Sequence, residues 1–535
     1  MVTLSSPVAD LTAEVPVART VTVADLDDFL AELAGYHAYY APHFRPDQRA
    51  WAEFYLRGLL TADVPRKNIE AMVLRLRGAG PDADNQVRAA QVFISQGAWD
   101  DAAVLAAHQR LVEATLGEDD GVLLLDGSDV PKQGTHSVGV ARQWCGATGK
   151  RANCQAGVYL GYASRRGYTL LDRCLYLPEL WFSAAYRARW QACRIPDETV
   201  FQTKPQLAAA LVAGVMDERR VRARWVACDE GFGSDPALLD RIAEHGLWYL
   251  AEVPCAMLVW LLAEPDGTAR VHPWTWVPPP HPSGRGRPPQ VARLHPDSPA
   301  RVRVDEWAAQ VPAARWQHYR ILEGSKGPLV AEFVAVRAVL AREGLPGPEG
   351  WVVIRRTLAT ADDPPVSKYY LSNAPADTPE PALVRVSGLR WPIESCFTEG
   401  KSEVGLDHYE VRTWRGWHHH LTLVILAHFF LVRLMLRLNR REGGLRSGHA
   451  PAAGAGGAAG TGGGPGPPAA AGGGAGEPGG GTPAAGGAAA AAGAGRGGRA
   501  GAGGLPAAAQ DSRLPLASHP AAPGASGSRP LTASL

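Results

Sequence analysis

The chain has 535 residues, 46% of them hydrophobic and 20% charged, with a formal net charge of +1. This length and apolar content suffice for one large core with satellite domains, and near-neutral overall charge does not exclude a basic face. Seven widely spaced cysteines without a CxxC pair argue against a disulfide framework and a zinc site, and they indicate a reducing compartment.

Neither the N-terminus nor the apolar stretch 421–438 predicts membrane insertion. The N-terminus lacks a basic start followed by an apolar run, so we expect no export signal and a cytoplasmic protein. The apolar stretch 421–438 is interrupted by His428, Arg433 and Arg437. These interruptions favour a buried or half-buried helix over a membrane span.

The first quarter of the chain reads as helical after an aperiodic start. Residues 1–24 show no period and are expected to be flexible. Between Trp51 and Leu59 the apolar residues recur at helical spacing. The pattern over 87–116 breaks at Gln96-Gly97, which fits either a helix-turn-helix or an ordinary helical hairpin equally well.

Strands dominate from Gly121 onward. VLLLDGS, HSVGVARQW, GVYLGYAS and YTLLDRCLYLP predict a meander, and the strands RWVACDEGF and LWYLAEV then alternate with helices. This order predicts a mixed α/β sheet with parallel members. A mostly β insertion follows, strand 368–373 returns to the main sheet, and the last segment is mainly Gly, Ala and Pro. That last segment cannot bury enough apolar surface to fold, so we expect it to be disordered.

Three acids stand where they could hold metal ions. Asp126 and Asp229 each end an apolar run and precede small turn residues, and Glu394 lies in a late helix. Ligands gather at strand ends in such sheets. Carboxylates there could hold two divalent cations, one activating the attacking oxygen and one stabilising the leaving oxygen of a phosphodiester. Any one acid taken alone is more often a solvated surface residue than a metal ligand. Asp129 could take the place of Asp126 in this site, and Glu230 that of Asp229.

The helix of Glu394 carries a charged stripe. Arg390, Glu394, Phe397 and Lys401 are spaced i, i+4, i+7 and i+11, which places them along one helix face. Arg390 and Lys401 could hold the phosphates beside the scissile bond. Alternatively, Arg390 and Glu394 form a simple i, i+4 ion pair. Pro392 indicates that the helix begins near Trp391, with Arg390 at its N-terminus.

Further basic and histidine-containing segments have two readings each. Lys132 lies in a turn after Asp126 and could contact a phosphate or remain solvated. Arg285 and Arg287, in Arg-Gly-Arg-Pro, fit either a minor-groove hook or a basic loop. Consecutive histidines at 418–420 point in different directions on a helix and cannot share one ion, so this segment is expected to pack against the core. A DNA contact that involves the neighbouring Arg412, Arg415 and Trp417 is the lesser alternative.

The segments around these acids resemble the DDE transposases of bacterial insertion sequences, most closely the 701 family, over roughly residues 25–440. The Arg390, Glu394 and Lys401 spacing matches that family's Arg-x3-Glu-x6-Lys signature, although Ser387 stands where the broader signature has Tyr. The resemblance implies an RNase H-like catalytic core with a β-rich insertion. It also implies Asp126, Asp229 and Glu394 as catalytic metal ligands, and two Mg²⁺ or Mn²⁺ ions as cofactor.

The resemblance further implies an activity and its partners. The protein would bind terminal inverted repeats as a homodimer on double-stranded DNA, cleave with water, and direct the freed 3'-hydroxyl at target DNA in the bacterial nucleoid. Because the Gly/Ala/Pro tail replaces a basic helical one, the alternatives are a DNA-binding remnant that no longer cuts and, more weakly, a nuclease that does not join. The expected divisions are a flexible N-terminus (1–24), a helical DNA-binding domain (25–118), the catalytic core (119–254 and 368–440), the β-rich insertion (255–367) and a disordered tail (441–535).

Overall fold

The computed structural model of the chain describes residues 9–10, 23–272, 274, 276–277, 293–324, 327–358 and 364–446. Arg285 and Arg287 lie outside the described residues, and so does the tail from residue 447 onward. Within the described part, helices at both ends of the chain pack on one large mixed sheet. The predicted α/β class with an RNase H-like mixed sheet is confirmed.

Five helices precede the sheet: α1 (Val23–Tyr40), α2 (Pro46–Leu60), α3 (Ile69–Arg77), α4 (Ala83–Gln96) and α5 (Asp101–Leu116). Local chemistry sets their starts, because the side chains of Asn68 and Asp100 accept backbone N–H bonds at the first turns of α3 and α5. The α4–α5 break falls at Gly97, as predicted. Helix α5 buries one face, which includes His108 and Gln109, and packs on β5 and α13. This packing is what an ordinary helical hairpin requires, and the helix-turn-helix alternative stays a prediction.

The strands are β1 (Ala9–Asp10), β2 (Val122–Pro131), β3 (Ala141–Cys145), β4 (Lys150–Ser164), β5 (Gly167–Tyr176), β6 (Trp225–Cys228), β7 (Trp248–Val253), β8 (Leu258–Leu261), β9 (Trp276–Val277), β10 (Arg293–Leu294), β11 (Val302–Arg303), β12 (Gln317–Gly324), β13 (Gly327–Arg342), β14 (Leu345–Thr357) and β15 (Ser367–Ser372). Thirteen of these described strands form one sheet, whose main path runs β1-β12-β13-β14-β15-β7-β6-β2-β4-β3. The central strands β2, β6 and β7 are parallel, and most others are antiparallel.

The remaining helices are α6 (Arg187–Cys193), α7 (Lys204–Met216), α8 (Glu230–Gly233), α9 (Pro236–Glu244), α10 (Val304–Ala308), α11 (Glu380–Leu389), α12 (Pro392–Ser402) and α13 (Trp414–Arg446). Helices α7 and α9 lie in the connections between β5, β6 and β7, as the alternating pattern predicted.

Among the described residues, β9 and β10 of the insertion pair as a small two-stranded sheet, whereas its longer strands do not form a separate sheet. Strands β12, β13 and β14 hydrogen-bond in series and join the core through β15, so they extend the main sheet. Residues 9 and 10, inside the segment expected to be flexible, pair in parallel with β12. The β-rich character of the insertion was readable from the sequence, whereas its continuity with the core sheet was not.

Helix α13 is a core helix. Between Trp414 and Leu438 it is long and apolar enough to cross a membrane, but 67% of its most apolar stretch is buried inside the protein. It packs against α2, α4, α5 and β5, as expected for the apolar stretch 421–438. The helix runs to Arg446, across the boundary predicted at residue 440.

Candidate active site

Three carboxylates form a row across the parallel part of the sheet. The ladders that join β2, β6 and β7 end one residue before Asp126, Asp229 and Glu252. Residues at matched positions on neighbouring strands face the same side of a sheet. The three acids therefore lie side by side, where β6 and β7 reach their carboxyl ends. Asp126 does not end its strand, as the sequence suggested, because β2 continues to Pro131 through its pairing with β4.

A cavity of about 470 Å³ opens at this row. The two predicted strand acids meet the predicted helical acid here, because Glu394 lies on the first turn of α12, which packs on β2, β4 and β5. The charged residues that line the cavity are Asp126, Asp129, Asp229, Glu230, Glu252, Lys368, Arg390, Glu394 and Lys401. The structure thus gathers side chains that are more than a hundred residues apart in sequence.

Arg390 lies among the acids and contacts three of them. Its Nη2 is 2.8 Å from Glu394 Oε1, its Nη1 is 3.8 Å from Asp126 Oδ2, and its Nε is 3.8 Å from Glu252 Oε2. Burial lowers the pKa of this guanidinium, but Asp126, Glu394 and Glu252 outweigh burial and raise it. The i, i+4 pair with Glu394 is therefore present, and Arg390 is engaged with carboxylates.

The strand acids are unfavourable as anions in this setting. Burial, reinforced by Asp229 and opposed by Arg390, raises the pKa of Asp126 to about 7. Burial also raises the pKa of Asp229, although the Phe232 N–H and Arg390 oppose it. A closely spaced pair of half-buried carboxylates with raised pKa values is a site that gains from an added cation.

The donor set at the row suits a hard divalent cation. Asp126 and Asp229 supply oxygen ligands from adjacent strands, which is the ligand type that Mg²⁺ prefers. Among the described residues, however, no three His, Cys, Asp or Glu side chains are grouped closely enough to hold an ion together. Glu394 is held in an ion pair with Arg390. The two strand acids fit a metal, and Glu394 would join them by releasing Arg390.

Helix α12 presents the rest of the charged stripe to the cavity. Trp391 is its N-cap residue, so the helix begins where Pro392 indicated. The Phe397 ring packs edge-on against Tyr159 with centroids 5.1 Å apart, which fixes this helix face against β4. Lys401 lines the cavity as predicted.

Sequence reasoning missed Glu252 and Lys368. Lys368 Nζ lies 2.8 and 3.0 Å from the two carboxylate oxygens of Glu252, and both residues line the cavity. The available signal was a lone acid within the apolar strand LWYLAEV and a lone base at the start of KYYLSN. Only strand register could show that the two charges meet beside Asp229.

Other predicted site residues lie apart from the carboxylate row. Lys132 does not line the cavity. Its Nζ is 3.7 Å from the centroid of the Tyr409 ring and 3.3 Å from the Tyr409 carbonyl oxygen, and burial lowers its pKa to about 8. Asp129 lines the cavity edge but accepts a hydrogen bond from the Gly146 N–H at 2.7 Å. Exposed Glu230 lies within α8 and also borders the cavity.

The histidines at 418–420 are structural, as expected. They bind different partners: His419 contacts the Ile94 and Trp99 carbonyl oxygens, whereas His420 contacts Tyr55 Oη and the Gly405 carbonyl oxygen. Burial lowers their pKa values to about 4, 4 and 3, respectively, so they are neutral. Trp417 is also buried, which rules out the lesser alternative of a DNA contact through its ring.

Comparison with known proteins assigns the family. The sequence matches the family described as DDE superfamily endonuclease over residues 38–328, just over half of the chain. This chain belongs to the DDE superfamily endonucleases. The match includes Asp126 and Asp229 and ends before Glu394. It confirms the DDE assignment, while membership of the 701 family stays a prediction.

Other comparisons add little to this DDE endonuclease. No curated protein matches it. Among solved structures it is similar to a piggyBac transposase in a synaptic complex with hairpin DNA, at 10% identity and a TM-score of 0.33, covering 78% of this chain and 74% of that one. At that level of similarity the match carries no argument about the site.

Proposed function

We propose that this DDE endonuclease is a transposase that cleaves DNA at the ends of an insertion sequence and transfers the 3'-hydroxyl ends to target DNA. One observation supports the proposal above others. Asp126, Asp229 and Glu394, from two parallel strands and one helix, line a single cavity. Phosphodiester chemistry by paired metal ions needs carboxylates from separate elements converging in this way.

Each charged group would have a distinct task. Asp126, Asp229 and Glu394 would hold two Mg²⁺ or Mn²⁺ ions, which when bound activate the attacking oxygen and stabilise the leaving one. Arg390 keeps Glu394 at the cavity and neutralises the acid row until cations arrive. Lys401 meets phosphate oxygens from the helix side.

Duplex DNA is the proposed partner, and the helical region 25–118 would help bind it. One face of α4 is polar and solvent-accessible, with Arg88, Gln91 and Ser95 on it. Together with Lys67 and Arg412 this face lines a second cavity of about 490 Å³. Arg and Gln are the side chains that most often read base edges or hold phosphates. Because α5 packs on β5 and α13, α4 is the helix of the pair that we expect to touch DNA.

The deciding experiment is a cleavage assay on labelled duplexes taken from the DNA that flanks the gene. Wild-type protein should nick these duplexes with Mg²⁺ or Mn²⁺ and not with EDTA. Asp126→Ala, Asp229→Ala and Glu394→Ala should each lower the nicking rate by about a thousandfold or more, the scale of losing a metal-based step. The neighbours Asp129→Ala and Glu230→Ala are matched controls and should retain nicking.

Each alternative has its own signature in this assay. A wild-type protein that binds the duplex but never nicks it is the DNA-binding remnant. Nicking without strand joining identifies a plain nuclease. Nicking that survives all three alanine substitutions shows that the site is elsewhere. Concerted cutting of two ends by a homodimer predicts a protein–DNA complex with two chains, measurable by light scattering.

A further inference from the structure

A lysine extends the carboxylate row on the next strand. Strand β15 runs antiparallel to β7, with Tyr370 opposite Glu252. Lys368 comes two residues before Tyr370 and therefore faces the same side of the sheet. A residue at this diagonal position is within reach of a long side chain. The row that begins with the three acids of β2, β6 and β7 thus ends in a cation at the cavity wall.

The Lys368 ammonium is held in a fixed place. Both oxygens of Glu252 lie within 3.0 Å of its Nζ. The Glu252 side chain is 13% exposed and that of Lys368 is 34% exposed. An ammonium group carries three donors. With two of them directed at Glu252, the third remains for a ligand that enters from the cavity.

The two cations of this part of the site differ in what they can still bind. The Arg390 side chain is 9% exposed and is shared among Asp126, Glu252 and Glu394. Lys368 is more accessible and contacts one acid. An anionic ligand arriving from solvent therefore meets the ammonium of Lys368 before the guanidinium of Arg390.

We propose that Lys368 binds a phosphate of the DNA strand in the catalytic cavity and that Glu252 is the positioning residue that aims it. This inference rests on the proposed function, since it names a contact of the same site. Glu252 holds the ammonium beside the cleavage position, because its own place next to Asp229 is set by the β6–β7 register. The competing role for Glu252 is that of a further metal ligand, for which it would have to release Lys368.

A binding measurement in EDTA tests Lys368 without any catalysis. Lys368→Gln should weaken binding to a labelled flanking duplex about fivefold and lower the slope of log affinity against log salt by about 0.9, as for one lost phosphate contact. Lys368→Arg should restore both. An unchanged affinity and slope in Lys368→Gln would overturn the assignment.

Arg356→Gln is the matched control. Arg356 is 30% exposed, forms an ion pair with Glu332 at 2.7 Å, and lies on β14 directly across from β15. Its register partner is Ser367, so it faces the opposite side of the sheet from Lys368. Loss of this cation should leave DNA affinity and the salt slope unchanged. An equal effect of both substitutions would mean that Lys368 acts only through general charge.

Glu252→Gln separates positioning from metal binding. A positioning role predicts unchanged or slightly tighter DNA binding, because a negative charge is removed, together with a roughly tenfold slower nicking rate, the scale of a misplaced contact group. The Mg²⁺ concentration for half-maximal nicking should stay the same, and Glu252→Gln/Lys368→Gln should nick no more slowly than Lys368→Gln. A higher Mg²⁺ requirement in Glu252→Gln, with normal nicking by Lys368→Gln, would overturn positioning in favour of a ligand role.

Failure of this inference is distinct from failure of the proposed function. Wild-type protein that never nicks with Mg²⁺ or Mn²⁺ refutes the proposed function, while the binding data in EDTA still decide whether Lys368 contacts phosphate. Wild-type protein that nicks normally alongside an unaffected Lys368→Gln refutes the inference alone.

Discussion

Two clusters of buried charge in this protein differ in how their charges are balanced. In the first, Arg173 on β5 is 5% exposed, forms ion pairs with Asp101 and Asp172, and donates hydrogen bonds to the His418 carbonyl oxygen and Thr422 Oγ1 at 2.9 and 2.7 Å. It ties together α5, β5 and α13. The second is the cavity at the carboxylate row, where acids outnumber the cations near them.

The pKa values show what the difference means. Burial raises the pKa of Asp101, but Arg173 and His418 outweigh it and bring it down to about 2, so its anion is stabilised by the fold. Asp126 has its pKa raised to about 7 instead, so its anion is destabilised. In the Arg173 cluster the protein's own cation stabilises the Asp101 anion, although burial still raises the pKa of Asp172, whereas both strand acids of the cavity have raised pKa values.

The largest effect on stability should come from removing the cation of the Arg173 cluster. Arg173→Met leaves Asp101 and Asp172 buried without their cation and should lower the free energy of unfolding by about 3–5 kcal/mol. Urea unfolding at pH 7 measures this. A loss below about 1 kcal/mol would mean that the cluster is not a stabilising unit and would remove the contrast with the cavity.

Substitution of Asp126 should raise the free energy of unfolding, whereas substitution of Arg173 lowers it. Because the folded-state pKa of Asp126 lies above its ordinary value of 3.8, the folded state binds the extra proton, and stability in EDTA should fall as pH rises from about 4 to 7. Asp126→Asn removes this loss and should be more stable than wild type at pH 8 by roughly 2–4 kcal/mol. Thermal unfolding across this pH range is the measurement.

Asp101→Asn provides the control for that pH dependence. The folded-state pKa of Asp101 lies below its ordinary value, so its contribution is present above about pH 4 and is lost as pH falls toward 2. The two substitutions should therefore change the pH profile in opposite directions. Parallel profiles would contradict the distinction between the clusters.

Divalent cations should stabilise the folded protein through the cavity and not through the Arg173 cluster. At a concentration one hundred times Kd, Mg²⁺ should raise the free energy of unfolding of wild type by about 2.7 kcal/mol. The increase should vanish in Asp126→Asn/Asp229→Asn and persist in Asp101→Asn. Calorimetric scans of the three proteins with Mg²⁺ and with EDTA make the comparison, and stabilisation of the double variant would place the ion elsewhere.

The smallest stability effect belongs to Glu394. Its side chain is 42% exposed, and a partly exposed ion pair contributes little to folding. Glu394→Gln should change the free energy of unfolding by less than about 1 kcal/mol while abolishing nicking. A loss above about 2 kcal/mol would assign the residue a structural role.

Local patterns in the sequence predicted much of this site. An apolar run ending in Asp, followed by small residues, marked the strands of Asp126 and Asp229. Helical spacing placed Arg390, Glu394 and Lys401 on one face, and all three line the cavity. These placements were predictable because alternation, helix period and proline position act over a few residues, which a single sequence displays directly.

Long-range features were not predictable in this way. Lys132 follows Asp126 by six residues, but its side chain packs on Tyr409. Tyr409 is distant in sequence and comes near Lys132 because of the path that the chain takes after α12. The face that α5 buries is decided by its packing against β5 and α13. No local pattern separates a recognition helix from a packed one.

The sequence by itself determined the element types, the mixed sheet and the three acids that are candidate metal ligands, because these follow from periodicity and residue chemistry within short windows. Only tertiary structure decided that Glu252 joins the row, that Lys368 is held beside it, and that Arg390 lies between the strand acids and Glu394. Those facts depend on the register of β2, β6, β7 and β15. Register is set by the packing of the whole sheet, since a shift of one residue would turn each of these charges to the other face.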